Sequence, residues 1–348
     1  VTTTHIDKLT AWGGAADPVP WTTIFTGILI VNFFYWTTNQ AIIQRSLAAK
    51  SLAEGQKGIL YAGVFLLFLP FLLNVPGLVS FHIFGDSIKT IDLAYPMLVS
   101  KVLPKPLLGF FTACLFGAIL STFNSFINSA ATLFCYDIYR PIFKKDISDE
   151  DLIKVAKIAG TIIAIVSMII APLLQYGTGG LFLLLKRFAG FFNIPIVALV
   201  AVGFLNKTIS GKAARIVVLL HVILYYSLVW IFKVQINFTH VMGGLFVFDI
   251  VAMFILGSIF KRETPYVPST RNKSNVDLTD WKYVREFSAL LVLGLCYLYA
   301  VLSPIGLAGG NSLGKITIIF AVITVAVLGI LNITKKKNKT AAVRAEVE

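Results

Sequence analysis

Nine apolar stretches, each long enough to cross about 30 Å of hydrocarbon as a helix, follow one another along this chain. The chain is 57% hydrophobic and only 14% charged, whereas soluble domains carry about 25% charged residues. Backbone polar groups in lipid must be satisfied within the segment, so this pattern predicts an all-α, polytopic membrane protein. The predicted spans are 19–41, 57–84, 106–136, 152–175, 179–205, 213–232, 241–260, 286–303 and 314–334.

The basic residues lie mainly between the apolar stretches, which accounts for the net charge of +13 without a nucleic-acid surface. Alternate loops, beginning with the one that carries Arg45 and Lys50, hold most of the 30 lysines and arginines. Because cytoplasmic loops are enriched in these residues, we expect the N-terminal segment outside and the C-terminus in the cytoplasm. The pattern therefore predicts a multi-pass protein of the plasma membrane, of the bacterial inner-membrane type, surrounded by lipid and without a nucleic-acid partner.

Cys114, Cys135 and Cys296 are scattered through apolar stretches and fit neither a disulfide framework nor a metal site. The four histidines are equally dispersed, and no carboxylate pair or nucleophile–base spacing appears at matched depth. These patterns argue against an enzyme and against a bound cofactor. The polar start of the chain contains no signal peptide and no initiator methionine, so we expect the sequence to begin inside a longer protein.

A stripe of small and hydroxyl side chains runs through the third apolar stretch. Ala118, Ser121 and Thr122 lie at i, i+3 and i+4, so one turn presents two hydroxyls and a main-chain carbonyl on one face. Hard cations prefer oxygen ligands, which makes this turn a candidate site for a monovalent cation. Small residues also let helices approach closely, and the spacing alone does not separate the two interpretations.

The first stretch also carries polar residues at helical spacing. Trp21 marks the outer interface, and Asn32 lies eleven residues further along, roughly 16 Å deeper in a helix. One helical face holds Asn32, Tyr35, Trp36 and Asn39. An amide bonds the hydroxyls of a ligand and aromatic rings stack on its C–H faces, which favours a hydroxylated solute. Interhelical hydrogen bonding by Asn32 with simple packing of the rings explains the pattern equally well.

Two adjacent cations, Lys186 and Arg187, lie inside the fifth stretch, where charge is costly. Neighbouring residues diverge by about 100° around a helix, so the two side chains cannot share one face. One can line a cavity while the other snorkels to the interface, or both can snorkel. Asn193 and Pro195 follow and are expected to weaken the helix, as hinges in transporters do.

Three segments of this chain combine the candidate residues with longer motifs: NFFYWTTNQAIIQRSLAAKSLAEGQKG (Asn32–Gly58), FGAILSTFNSFINSAATLFCYDIYR (Phe116–Arg140) and GTGGLFLLLKRFAGFFNIP (Gly177–Pro195). These segments resemble signatures of the sodium/solute symporters, in particular the sodium/glucose-galactose cotransporter branch. The resemblance implies a leucine-transporter-type core of two inverted five-helix repeats, of which this chain holds the second. The implied segments are an extracellular segment (1–18), the five transmembrane helices of that repeat (19–205), two peripheral helices (206–260), a cytoplasmic linker (261–285), two C-terminal helices (286–334) and a cytoplasmic tail (335–348).

The resemblance also implies roles for individual residues. Asn32 falls on the sugar-binding asparagine of the family, Tyr35 on the aromatic gate at the cytoplasmic side of the sugar, and Phe182 on an aromatic residue that lines the site. The turn of Ala118, Ser121 and Thr122 falls on the eighth-helix half of the sodium site. The other half of that site, on the first core helix, is not in this sequence. Sodium is the expected coupling ion.

Two positions depart from the bacterial galactose-type members. Leu66 stands where they have a sugar-contacting lysine, and Lys186 stands where they have a sugar-binding glutamine. Lys186 either supplies a hydrogen-bond donor to the site from a different side or indicates a different solute. The expected function is sodium-coupled import of a small hydroxylated solute, with a sugar or polyol first. An anionic solute and a non-transporting membrane sensor are the alternatives.

Overall fold

The computed structural model describes residues 9–176, 180–267, 276–309 and 313–347, with backbone alone for 175–176 and 336–347. Helices dominate these residues and no strand occurs among them, which confirms the all-α prediction. The helices are α1 (Gly27–Thr37), α2 (Gln40–Leu47), α3 (Leu52–Phe84), α4 (Ala94–Val102), α5 (Lys105–Leu133), α6 (Arg140–Ile142), α7 (Asp149–Ile170), α8 (Leu181–Leu205), α9 (Gly211–Tyr226), α10 (Phe238–Ile259), α11 (Val284–Val301) and α12 (Leu313–Val347).

Eight helical segments in the described parts of the chain are long and apolar enough to cross a membrane. They coincide with the second to the ninth predicted spans. Large apolar side chains on them are exposed, among them Phe65, Phe110 and Phe204, as expected where lipid surrounds a helix. The segments are Leu52–Ser87, Lys105–Ile142, Asp149–Leu174, Leu181–Leu205, Gly211–Ile231, Phe238–Ile259, Val284–Val301 and Leu313–Lys335.

The first predicted span is built differently, because the chain breaks there into short helices. α1 ends at Thr37 and α2 begins at Gln40. Asn39 lies in the break, where its Oδ1 accepts a hydrogen bond from the Ala41 amide at 3.0 Å. Asparagine is favoured at such a position because it satisfies an amide that the first turn leaves without a partner. The prediction of one helical face running from Asn32 to Asn39 is therefore wrong beyond Thr37.

One compact unit contains α1, most of α2 and α4–α10, from Thr22–Arg45 and Thr90–Ser269. Within it α8, α9 and α10 pack against one another, and α1 packs against α8 and α10. Ile194, Tyr225 and Met242 are fully buried where these helices meet. This packing positions α1 beside α8.

Elsewhere in the same unit, α5 packs along α7. Ser148 caps α7 by accepting a hydrogen bond from the Asp151 amide at 3.2 Å, a role that serine often has at a helix start. A Cβ at Gly160 of α7 would lie 3.1 Å from the Ile127 side chain of α5, so the absence of a side chain allows the close approach. The pairing fixes one side of α5 and leaves other faces available.

A second compact unit contains α3, α11 and α12 and is drawn from Val1–Trp21, Ser46–Lys89 and Thr270–Glu348. α11 packs against both α3 and α12. Trp281, just before α11, donates its amide to Gln56 Oε1 on α3 at 2.8 Å. The part of the predicted linker next to α11 is thus attached to α3.

Asp277 adds a second attachment of the linker within this unit. Its backbone carbonyl accepts a hydrogen bond from the Leu52 amide at 2.9 Å. Hydrogen bonds from the Thr279 hydroxyl and amide hold the pKa of Asp277 below its usual range, because they favour the carboxylate. The linker residues 268–275 lie outside the described part of the chain.

Candidate functional site

The candidate cation ligands Ala118, Ser121 and Thr122 all lie exposed on α5. A Cβ added at Gly117, beside them, would meet open space. Among the described residues, therefore, no neighbouring helix packs closely on this turn of α5. Close packing here would need a neighbour from outside the described chain.

The hydroxyls of α5 donate hydrogen bonds to carbonyls of their own helix. Thr122 Oγ1 donates to the Ala118 carbonyl at 3.0 Å, and Ser125 Oγ donates to the Ser121 carbonyl at 2.8 Å. This bond uses the hydroxyl proton and leaves the oxygen lone pairs free to accept. Thr122 can therefore coordinate a cation while its helical hydrogen bond persists. Neutral oxygens of this kind suit a hard cation.

Further along the same face, α5 contacts α2. Gln44 Nε2 donates to Ser129 Oγ at 2.8 Å, and the Arg45 guanidinium donates to Ser125 Oγ. Both α2 residues follow the break at Asn39. The hydroxyl stripe of α5, which comprises Ala118, Ser121, Thr122, Ser125 and Ser129, is therefore linked to the broken segment that begins with α1.

Asn32 and Tyr35 are both exposed on α1, one turn apart. Asn32 Nδ2 donates to the Ile28 carbonyl at 2.9 Å, which leaves Oδ1 as an acceptor for an incoming hydroxyl. The Tyr35 side chain is 40% exposed and its ring meets the Trp36 ring edge to face, with centroids 5.4 Å apart. This helix thus presents an amide oxygen and an aromatic ring on its surface.

Lys186 and Phe182 lie one turn apart on α8. The Lys186 ammonium lies 5.4 Å from the centroid of the Phe182 ring, a distance at which the ring quadrupole attracts a cation. Arg187 takes another direction, and its guanidinium lies 5.5 Å from the Phe238 ring of α10. The two cations diverge as their adjacent positions on a helix require. Lys186 is half-buried, whereas Phe182 is 61% exposed.

The solute candidates of α1 and α8 belong to neighbouring helices, because α1 packs directly on α8. Val31 of α1 and Leu183 of α8, each next in the chain to a candidate residue, both pack on the same buried cluster. The cation candidates lie on α5, whose stripe is attached through α2. All of the predicted site residues therefore lie in one compact unit.

The sequence patterns did not indicate a buried pair, His221 of α9 with Asp249 of α10. Nδ1 of His221 lies 2.8 Å from Oδ2 of Asp249, and both side chains are fully buried. Spacing within one helix could not reveal this contact, since the partners lie on different helices. The signal available in the sequence was the presence of ionisable residues inside predicted spans, because such residues are rare there unless they are paired.

A sequence model of the sodium:solute symporter family matches residues 13–219, which include α1, α5 and α8. The chain belongs to the sodium:solute symporter family. The resemblance noted for the three signature segments is thus confirmed.

Several known proteins are similar to this chain over more than half of its length. YidK of Escherichia coli (strain K12), described as an uncharacterised symporter, is 39% identical over 328 residues, which are 94% of this chain and 57% of YidK. A sodium/glucose cotransporter of Vibrio parahaemolyticus is 35% identical over 206 residues, 55% of this chain and 38% of that protein. Sodium/myo-inositol cotransporter 2 of Mus musculus is 32% identical over 213 residues, 56% of this chain and 32% of that protein.

The chain spans little more than half of YidK and a smaller share of the other two relatives. The named relatives are transporters and not enzymes.

Proposed function

We propose that this chain contributes the second half of the transport core of a sodium-coupled symporter, which imports a small hydroxylated solute. The observation that carries the proposal is the packing of α1 on α8. The two helices carry the four solute candidates, an amide and an aromatic ring on α1 and a lysine and a second ring on α8. Relatives named for glucose and myo-inositol support a sugar or polyol as the solute.

The proposed solute site uses four side chains. Asn32 Oδ1 accepts a hydrogen bond from a solute hydroxyl, and Lys186 donates to a solute oxygen. The rings of Tyr35 and Phe182 stack on the C–H faces of the solute. Tyr35 also closes the cytoplasmic side, and its displacement releases the solute inward.

The proposed sodium site uses the exposed turn of α5, with the Ala118 carbonyl and the Ser121 and Thr122 hydroxyls as ligands. The open surface beside Gly117 supports access for an ion. By resemblance, the remaining ligands come from the first core helix of the family. Sodium is the coupling ion and no other cofactor is proposed.

Coupling follows from the linkage between the two sites. Sodium bound at α5 favours the outward-open state, and solute and ion each raise the affinity for the other. The contacts of Gln44 and Arg45 with Ser129 and Ser125 connect α5 to the broken segment that carries Asn32 and Tyr35. Inward movement of sodium supplies about 2.3 kcal/mol per charge per 100 mV, plus its concentration term.

The proposed setting is the plasma membrane, with the N-terminal segment outside and the C-terminal tail in the cytoplasm. The alternation of basic loops supports this orientation. The surrounding lipid is the expected environment of the exposed apolar residues. The proposal includes no nucleic-acid partner.

A second candidate solute is anionic, such as a carboxylate or an acidic sugar. Lys186 supports it, because this cation is half-buried on α8 and lies against Phe182. A half-buried ammonium forms a stronger, charge-assisted hydrogen bond with a carboxylate than with the hydroxyl of a neutral solute. Competition between neutral sugars and sugar acids separates the two candidates.

The test of the proposed function is solute uptake by the intact protein in proteoliposomes. An inward sodium gradient is expected to drive accumulation of a radiolabelled sugar or polyol, and replacement of sodium by choline is expected to abolish it. Equal uptake in both media would remove the coupling claim. Empty vesicles in each medium control for leak.

A further inference from the structure

The His221–Asp249 pair lies in a part of the molecule that the proposed solute and sodium sites do not use. His221 extends from α9 toward α8, where its Nε2 lies 3.0 Å from the Gly190 carbonyl oxygen. A carbonyl can only accept, so Nε2 carries a proton. The histidine thus bonds the backbone of α8 directly.

The other ring nitrogen then decides the charge of the pair. Nδ1 of His221 lies 2.8 Å from Oδ2 of Asp249, and two lone pairs cannot face each other at this distance. A single proton placed between the two atoms, on the imidazole or on the carboxyl, removes this conflict. In either arrangement the pair has no net charge, which is the least costly state for two ionisable groups inside a membrane span.

Tyr225 makes a second contact with α8, one helical turn further along α9 than His221. Its hydroxyl donates to the Arg187 carbonyl of α8 at 2.9 Å, and its ring stacks on that of His221 with centroids 5.9 Å apart. His221 and Tyr225 lie four residues apart on α9 and contact carbonyls three residues apart on α8. Two successive turns of α9 are therefore in contact with backbone carbonyls of α8.

Gly190 allows this approach. A Cβ at this position would overlap the hydroxyl and ring of Tyr225 and the terminal methyl of Met242. Pro195, one turn later, has no N–H and leaves the Phe191 carbonyl without its helical donor. The anchored turn thus lies between a weakened part of α8 and the part that carries Phe182 and Lys186.

We propose that His221 and Asp249 form a neutral pair that shares one proton and, together with Tyr225, positions the solute-binding turn of α8. We call this set of contacts the α8 anchor. His221, Asp249 and Tyr225 are positioning residues, which act on the solute through Lys186 and Phe182. The expected effect on solute affinity rests on the proposed function, whereas the contacts of the anchor do not.

The uptake test compares Asp249→Asn, Asp249→Leu and Tyr225→Phe with the unchanged protein. Asparagine keeps the shape and can donate to Nδ1 of a neutral imidazole, so the half-saturating solute concentration is expected to stay within about twofold. Asp249→Leu and Tyr225→Phe are expected to raise it about tenfold, since each removes a buried polar contact, with the half-saturating sodium concentration unchanged. Tyr226→Phe, at the exposed neighbour of Tyr225, is the matched control.

Two uptake results would overturn the proposal. Loss of solute affinity in Asp249→Asn as large as in Asp249→Leu would mean that the carboxylate charge itself is required. A fall in maximal rate with unchanged solute affinity in Asp249→Leu and Tyr225→Phe would mean that the contacts serve folding alone.

A labelling experiment tests the anchor without transport. Lys186→Cys, in a protein whose natural cysteines are all replaced by alanine, reports the accessibility of position 186 to a charged thiol reagent. Asp249→Leu is expected to change the labelling rate several-fold and Asp249→Asn to leave it unchanged. Identical rates in all three backgrounds would overturn the anchor. Absence of sodium-driven uptake in the unchanged protein would instead remove the proposed function, and labelling would still decide the anchor.

Discussion

The hydroxyl stripe of α5 and the α8 anchor are two polar regions in one apolar unit, and they satisfy their polar groups in opposite ways. Thr122 and Ser125 donate to carbonyls of their own helix and remain outside the packed interior. His221 and Asp249 are fully buried and depend on each other and on the Gly190 carbonyl. A hydroxyl needs no partner from another helix, whereas a buried ionisable group does.

This difference separates two roles. The turn of Ser121 and Thr122 can gain and lose a ligand at small cost to the fold, because both side chains are exposed and the hydrogen bond of Thr122 lies within α5. The α8 anchor cannot lose a member without leaving a buried polar group unsatisfied. Changes in the anchor should therefore alter stability and solute affinity, and changes in the stripe should alter sodium dependence.

The largest expected effect comes from His221→Leu, which leaves the Asp249 carboxylate buried without its partner. Loss of one member of a buried pair costs about 3–5 kcal/mol, so we expect a much lower free energy of unfolding in detergent. The double variant His221→Leu with Asp249→Leu should recover most of this loss, because it removes the orphaned charge. A double variant no more stable than His221→Leu would contradict the neutral pair.

Gly190→Ala should have the next largest effect. The added methyl overlaps Tyr225 and Met242, and overpacking of this kind costs about 1–3 kcal/mol. Gly203→Ala in the same helix meets open space and is the matched control. Thermal unfolding of the two variants measures the difference, and equal midpoints would show that α8 does not need the close approach at Gly190.

The double variant Ser121→Ala with Thr122→Ala should leave stability nearly unchanged and weaken sodium binding. Loss of two neutral ligands is expected to raise the half-saturating sodium concentration for uptake about tenfold, or about 1.4 kcal/mol. Thr112→Ala on the same helix, whose hydroxyl donates to the Leu108 carbonyl, is the control. An unchanged sodium dependence would assign the stripe to packing.

Lys186→Gln should have the smallest effect, a change in selectivity of a few-fold between neutral and acidic solutes. Removal of the cation lowers competition by sugar acids and keeps a hydrogen-bond donor for neutral sugars. Competition of each class against radiolabelled solute measures the ratio. If the ratio does not move, Lys186 lies outside the solute site.

The positions of eight spans could be predicted from the sequence because lipid makes apolar length nearly sufficient to define a helix. The break between α1 and α2 was missed for a related reason. Thr37, Thr38 and Asn39 are residues that cap and end helices, but on an apolar background they also fit a polar face. Only the observed hydrogen bond from the Ala41 amide to Asn39 Oδ1 decides between the two.

The candidate site, like the fold, could be predicted from the sequence only in part. The spacing of Ser121 and Thr122 at i+3 and i+4 from Ala118 fixes their place on one turn of α5, since it depends on one helix. The packing of α1 on α8 and the pairing of His221 with Asp249 join residues of different helices, and single-sequence periodicity carries no information on such contacts. The proximity of Lys186 to Phe182 is local, whereas the direction of Arg187 toward Phe238 depends on α10.

Equilibrium binding of radioactive sodium to the purified intact protein tests whether the exposed turn of α5 is a sodium site linked to a solute site. We expect saturable binding whose affinity rises when the solute is added, because the two sites are linked. We also expect weaker binding after Ser121→Ala with Thr122→Ala, and no change after Thr112→Ala. Sodium binding of equal affinity in all three proteins, with no response to solute, would contradict this assignment.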